Sequence, residues 1–201
     1  YDKLKPFGFP IHGAIDGFSR KVLWLEVTRA DDDAPFSGEQ AHVFGSSPHN
    51  QRIENWWSRL KTSCTNWWIQ FFKDMVDEKQ LSLVDEYTQE CLWFCFSGLL
   101  QNSLDEVQMY WNTHYIRPSR HETVGGVPDV LYAIPEEVGA FDCCVHVSED
   151  KLLEIEQSCM IEDEENIFQE YFHYQMEFQG LQFPTNHEEA LELFQVLMTY
   201  N

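Results

Sequence analysis

Two carboxylates stand where side chains could do chemistry. Asp16 follows the short alternating stretch IHGAI and precedes a turn signal at Gly17–Arg20. Glu54 sits in SPHNQRIENWWSRLK, among amides and bases. At helical spacing Asn50, Glu54, Ser58 and Lys61 share a polar face, flanked by Arg52 and Arg59. A carboxylate in that company can ligate a divalent cation beside a phosphate-binding rim. The plainer alternative is an exposed Glu paired with Ser58 or Lys61. Thiols offer less. Cys91 and Cys95 lie one helical turn apart, with His114 and His121 further on, which are the residue types of a zinc site. There is no CxxC pair, and buried free cysteines in an aromatic helix are the simpler reading. No Gly-rich phosphate loop, HExxH, GxSxG or Cys–His nucleophile signature occurs. His12, His42 and His49 read as surface or loop residues.

The elements that must position these groups follow from periodicity. IHGAID and KVLWLEV are β-formers on either side of the turn and predict a hairpin. TRADDDAPFSGEQ is a loop. Residues 46–76 predict one long helix or two in succession, with Pro48 in the first turn. Their apolar positions, Ile53, Trp56, Trp57, Leu60, Cys64, Trp67, Trp68, Phe71, Phe72, Met75 and Val76, recur in steps of three and four and predict one buried stripe. The pairs Trp56-Trp57 and Trp67-Trp68 are expected to share that face as core. Residues 80–111 predict another helix, and 111–132 mostly loop punctuated by Pro and Gly. Helices are expected over 149–178 and 186–199, the latter capped by Asn186 with Glu189. A change of composition after Ile134-Pro135 sets two regions, 1–135 and an acidic, mostly helical 136–201.

Charge narrows the partners. The chain carries −21 overall, spread as +1 over residues 1–73, −7 over 74–135 and −15 over 136–201. A chain this acidic repels DNA as a whole, so a nucleic-acid contact must be carried by the first third. The acidic end suits a solvated surface or a basic protein partner. Six cysteines in 201 residues make no disulfide framework, and a reducing compartment, nucleus or cytoplasm, is expected. The longest apolar run, about Cys91–Leu100, is far short of the ~20 residues a spanning helix needs, so no membrane is expected. The opening Tyr1 reads as an interior residue of a longer product.

Three segments in order carry a resemblance. HGAIDGFSRKVLWLEV, SPHNQRIENWWSRLK and WNTHYIRPSRHE…GGVPDVLY resemble the integrase core of the retroviral-integrase and transposase superfamily. They are most similar to mobile-element-derived integrase-core proteins, over roughly residues 6–135. The resemblance implies a ribonuclease H-like α/β fold and metal-dependent polynucleotidyl transfer. It makes Asp16 the first catalytic acid and Glu54, within N-x-R-I-E-x-W-W, the last. Both would be ligands of Mg2+ or Mn2+. Nucleic acid would meet Asn50, Arg52, Ser58, Arg59, Lys61, Arg117 and Arg120.

The family's middle Asp, in a D-x-G-x-E-N-type stretch after further strands, has no counterpart here. Asp16 and Glu54, with 37 residues between them, resemble a D-x35-E pair, but the hairpin after Asp16 marks it as the first acid. Asp31, Asp32 and Asp33 are poor substitutes. The second strand leads away from Asp16 for ~17–20 Å. The reach from Val27 to Asp33 is at most ~20–22 Å, so the loop would have to retrace the strand almost fully extended. The expectation is an incomplete ribonuclease H-like core: a β-hairpin plus helices, its central strand missing and one sheet edge open. Such a chain would bind metal incompetently, bind DNA weakly and lack strand-transfer activity. The alternatives are an active enzyme in a full-length isoform, or an acidic module that binds basic partners.

Overall fold

β-Branched and aromatic residues around a tight turn produce the only sheet among the described residues. Strand β1 (Ile11–Ile15) pairs antiparallel with β2 (Val22–Val27), Ile11 opposite Val27 and Gly13 opposite Leu25. The computed structural model describes residues 3–29, 51–118, 124–141, 147–153 and 166–200, the side chains of 51–53 excepted. The rest is mostly helical: α1 (Gln51–Leu60), a π-helical turn (Lys61–Thr65), α2 (Asn66–Asp77), α3 (Glu86–Thr113), α4 (Pro128–Ala133), α5 (Ile167–Gln179) and α6 (His187–Met198).

Local chemistry sets the helix starts. Asp85 caps α3 by accepting from Thr88 N–H at 2.9 Å and from its hydroxyl at 2.6 Å. The helix therefore begins at Glu86, later than the expected residue 80. Asn166 caps α5 through Phe168 N–H and Gln169 N–H, so α5 is a separate helix from the helical residues 149–153. Asn186 accepts from Glu189 N–H at 2.9 Å and opens α6, as the capping pattern predicts. Pro128 occupies the first turn of α4, a short helix inside a segment expected to be mostly loop.

The π turn explains how the tryptophan helix packs. Trp56, Leu60, Cys64, Trp68 and Phe72 are all buried and recur every four residues. In a regular α-helix each step of four overshoots a turn by about 40°, which would fan the five over about 160°. The wider turn at Lys61–Thr65 takes up much of that overshoot. One member of each Trp pair is thereby left out. Trp56 is 2% and Trp68 5% exposed, whereas Trp67 is 47% exposed and Trp57 half-buried. The pairs do not share a face as pairs.

Helix α3 is the spine. Leu92, Phe96, Leu100 and Leu104 are fully buried along it. The Phe96 ring meets Phe72 and Phe71 at 5.6 Å, Trp68 at 6.4 Å and Phe194 of α6 at 6.3 Å. Phe172 of α5 packs on Phe94 at 5.3 Å. Helices on both sides of residue 135 thus share one hydrophobic cluster.

The outer edge of β2 is not open. Gln101 accepts from Val27 N–H and donates to Leu25 C=O, both at 3.0 Å. Gln108 donates to Val22 C=O at 3.1 Å. Asn112 accepts from Val22 N–H at 2.8 Å and donates to Val22 C=O at 2.9 Å. Positions 101, 108 and 112 fall on one face of α3. Their amides give β2 the donors and acceptors that a neighbouring strand would give.

Candidate nucleic-acid and metal site

Asp16 opens the hairpin turn and anchors it. Its Oδ2 accepts from Phe18 N–H at 3.1 Å, and from Ser19 N–H and Ser19 Oγ–H at 2.6 Å each. An Asx-type turn of this kind needs a short acceptor side chain at that place. The turn closes with Asp16 N–H donating to Lys21 C=O and Arg20 N–H donating to Asp16 C=O. Arg20 takes a left-handed backbone, φ 64°, and is buried.

The turn is then docked from outside. Trp111 Nε1–H donates to Arg20 C=O at 2.7 Å, and the Arg20 guanidinium donates to Val124 C=O. Lys21 pairs with Asp129 of α4 at 2.9 Å and lies over the Tyr132 ring. From the other side, Trp56 packs on Trp111 with ring centroids 4.7 Å apart. A Cβ at Gly13 would come to 3.0 Å from Trp24 C=O and Leu25 Cδ1, with Trp57 Cη2 behind them at 3.4 Å, so this strand position favours its small residue. The three segments that carry the resemblance therefore meet in one contact surface around the hairpin.

Glu54 lies exposed on α1. Among the described side chains it forms no ion pair with Lys61 and no hydrogen bond with Ser58. The basic rim expected around it divides. Ser58 and Arg59 border a groove of about 630 Å³ with Trp56, Tyr110, Trp111 and His114. Arg59 sits over the Trp111 ring at 5.4 Å. The hydroxyls of Thr62 and Ser63 turn back onto the carbonyls of Ser58 and Arg59. Lys61 lines a different recess, with Lys3 and Lys73. Arg117 is exposed beyond the Ile116–Gly126 bridge. Asn50, Arg120, Asp31, Asp32, Asp33 and the Arg52 side chain lie outside the described residues. The Arg59–Trp111 groove was not foreseen, since its walls come from helices that only the tertiary fold brings together.

Cys91 and Cys95 do not form a zinc site with His114. They are buried in the first half of α3, while His114 lies just past its end, roughly 29–35 Å along the axis. The His114 ring stacks on Tyr110 at 5.2 Å instead. Burial pushes the Cys95 thiol well up, helped by its hydrogen bond with Cys91, and holds it neutral. Expected His121 lies outside the described residues.

The family model of the integrase core domain matches residues 34–132. That span of the chain belongs to the integrase core domain family. The match takes in the Glu54 helix and the Trp111–Leu131 segment, and begins after Asp16. No curated protein and no solved structure matches the chain. That family is the one of the DDE integrases and transposases, whose fold is ribonuclease H-like, whose chemistry uses divalent metal and whose substrate is DNA. Among the described residues no helix is long and apolar enough to cross a membrane.

A two-metal centre asks for converging oxygen ligands. Among the described residues no three His, Cys, Asp or Glu side chains gather where a cation would be held. Asp16 has one oxygen committed to its turn, and Glu54 stands exposed on α1. Among the described residues these two carboxylates alone fall short of the three ligands that a metal pair takes.

Proposed function

We propose that this chain is a DNA-binding integrase core protein of mobile-element origin that does not catalyse strand transfer. Its core is read as an incomplete ribonuclease H-like fold, a hairpin plus helices without the central strand, acting in the nucleus. The carboxylate count carries the reading: the sequence offers counterparts for the first and last acids, Asp16 and Glu54, and none for the middle one. The engagement of Asp16 Oδ2 by three donors of its own turn supports it. So does the amide ladder on β2, which lets the hairpin stand without another strand on that edge.

DNA contact is assigned to Arg59, Ser58, Lys61 and Arg117, with Asn50, Arg52 and Arg120. Few cations against a net −21 make the affinity low and steeply salt-dependent. A strand-transfer and end-processing assay on the purified chain, in Mg2+ and in Mn2+, tests the reading. No turnover is expected. Turnover that disappears in Glu54→Gln would overturn it and favour the active-enzyme alternative.

One observation favours a second reading, an acidic module for basic partners. Ile167, Tyr174 and Phe178 form an exposed stripe on α5, with exposed Glu170 and Glu177 along one side. A basic amphipathic peptide should bind the full chain, and Phe178→Ser should weaken it. Indifference of binding to that change would remove this support.

A further inference from the structure

A recess between the N-terminal turn and the tryptophan helix is lined by Lys3, Lys61 and Lys73. Its polar wall is completed by Asn66 and Gln70, and its apolar lining by Pro6, Phe7 and Ile69. The volume is about 690 Å³, the size of a small-molecule site rather than of a track for a duplex. Among the described residues no carboxylate lines it. Of the two acids adjacent in sequence to its lysines, Asp2 lies outside the described residues and Asp74 takes the Gln70 amide at 2.7 Å. Among the described residues none of the three lysines forms an ion pair, whereas Lys21 and Arg29 both do.

Residues 1–73 hold 9 of the chain's 13 basic side chains against 8 acids, and three of those nine face this one recess. Three ammonium groups around one concavity repel each other and raise the local potential, a cost that a bound anion reverses. Ammonium groups on flexible stems suit a chain of phosphates, which presents charge at several points, better than a single planar carboxylate. Asn66 and Gln70 can add hydrogen bonds to phosphate or hydroxyl oxygens. The apolar side takes a ring or hydrocarbon body.

We propose that this recess binds a small molecule carrying a polyphosphate chain. The site is separate from the groove of Ser58 and Arg59 but shares Lys61 with the proposed DNA contact, and the duplex probe tells the two apart.

Isothermal titration and thermal-shift measurements on the full chain would use tripolyphosphate, ATP, inorganic phosphate and a short DNA duplex as probes. Tripolyphosphate and ATP should bind and raise the melting temperature, with inorganic phosphate much weaker because it reaches fewer ammonium groups. The paired substitutions Lys61→Gln and Lys73→Gln remove two charges and should weaken tripolyphosphate by about tenfold or more, equivalent to about 1.4 kcal/mol. Both lysines are exposed, so the melting temperature without ligand should not move. Lys151→Gln, on the acidic region, is the control and should bind as the parent does. Equal tripolyphosphate affinity in the paired variant would overturn the proposal. So would a thermal shift from the duplex alone, with none from either polyphosphate.

Discussion

Replacing Asn112 by Leu tests whether an amide ladder stands in for a neighbouring strand. The side chain is buried and makes two hydrogen bonds to Val22, one in each direction. Leucine keeps the size and removes both. Val22 C=O retains the Gln108 amide at 3.1 Å, so only Val22 N–H loses its partner. A stranded buried N–H costs about 1–3 kcal/mol, and the lost bond to the carbonyl about 1 kcal/mol more. The expected loss is therefore about 2–4 kcal/mol, a large share of the ~5–15 kcal/mol that holds a domain together. Urea unfolding followed by tryptophan fluorescence should show the midpoint falling by roughly 0.7–2 M for a slope of about 2–3 kcal/mol/M. Hydrogen exchange at Val22 N–H should accelerate in the variant. Asn112→Asp is the informative companion. It keeps an acceptor for Val22 N–H but sets a carboxylate against Val22 C=O, so its deficit should shrink as the pH is lowered and the acid can donate. A leucine variant within about 0.5 kcal/mol of the parent, with Val22 N–H still slow to exchange, would refute the ladder.

Asp16→Ala removes the acceptor of three turn hydrogen bonds and should cost about 1–2 kcal/mol in denaturant melts, with or without Mg2+, while Asp16→Asn retains an acceptor and should cost less. Glu189 is held below the usual carboxylate range, first by Thr185 N–H, then by the Thr185 hydroxyl. A depressed folded pKa gives stability that is present above the unfolded carboxylate pKa and is lost as pH falls through the folded one, so Glu189→Gln should flatten the acid limb of a melting-temperature profile. Burial, and then the nearby charge of Glu106, push the Cys64 thiol up to about 11. Mass-spectrometric labelling should therefore find Cys64, Cys91 and Cys95 unreactive at neutral pH until denaturant is added.

What was legible in the sequence was local. β-Formers on either side of Gly17–Arg20 are enough to read a hairpin, and Asn186 followed by Glu189 is enough to place a helix start. The caps Asp85 and Asn166 were equally present in the letters. Leu81 and Leu83 ahead of the first, and Glu164 and Glu165 ahead of the second, are good helix formers, so the helical pattern in the sequence runs through both breaks. Gln101, Gln108 and Asn112 carried no such signal. A polar residue on a long helix ordinarily points to water, and only a strand edge lying along that face makes three amides into partners. The polar face assembled from Asn50, Glu54, Ser58 and Lys61 supposed uniform helical spacing, which the π turn interrupts.

That interruption links the packing to the charge. By widening one turn at Lys61–Thr65 the helix keeps Leu60, Cys64 and Trp68 against the core. The exposed residues on either side of the turn must rotate in the same measure. Arg59, before it, comes to lie over Trp111 at the hairpin side. Lys61 joins Lys73, three turns further on, against the N-terminal turn that carries Lys3. Arg59 and Lys61, two residues apart, face different sides of the helix, so one basic segment in sequence becomes two separate surfaces. Were the same residues to keep regular α spacing through 61–65, Trp67 would turn toward the position Trp68 now holds. Burying Trp67 and exposing Trp68 would then break the ring contacts of Trp68 with Phe72 and Phe96. The wider turn is thus what seats the aromatic side of this helix.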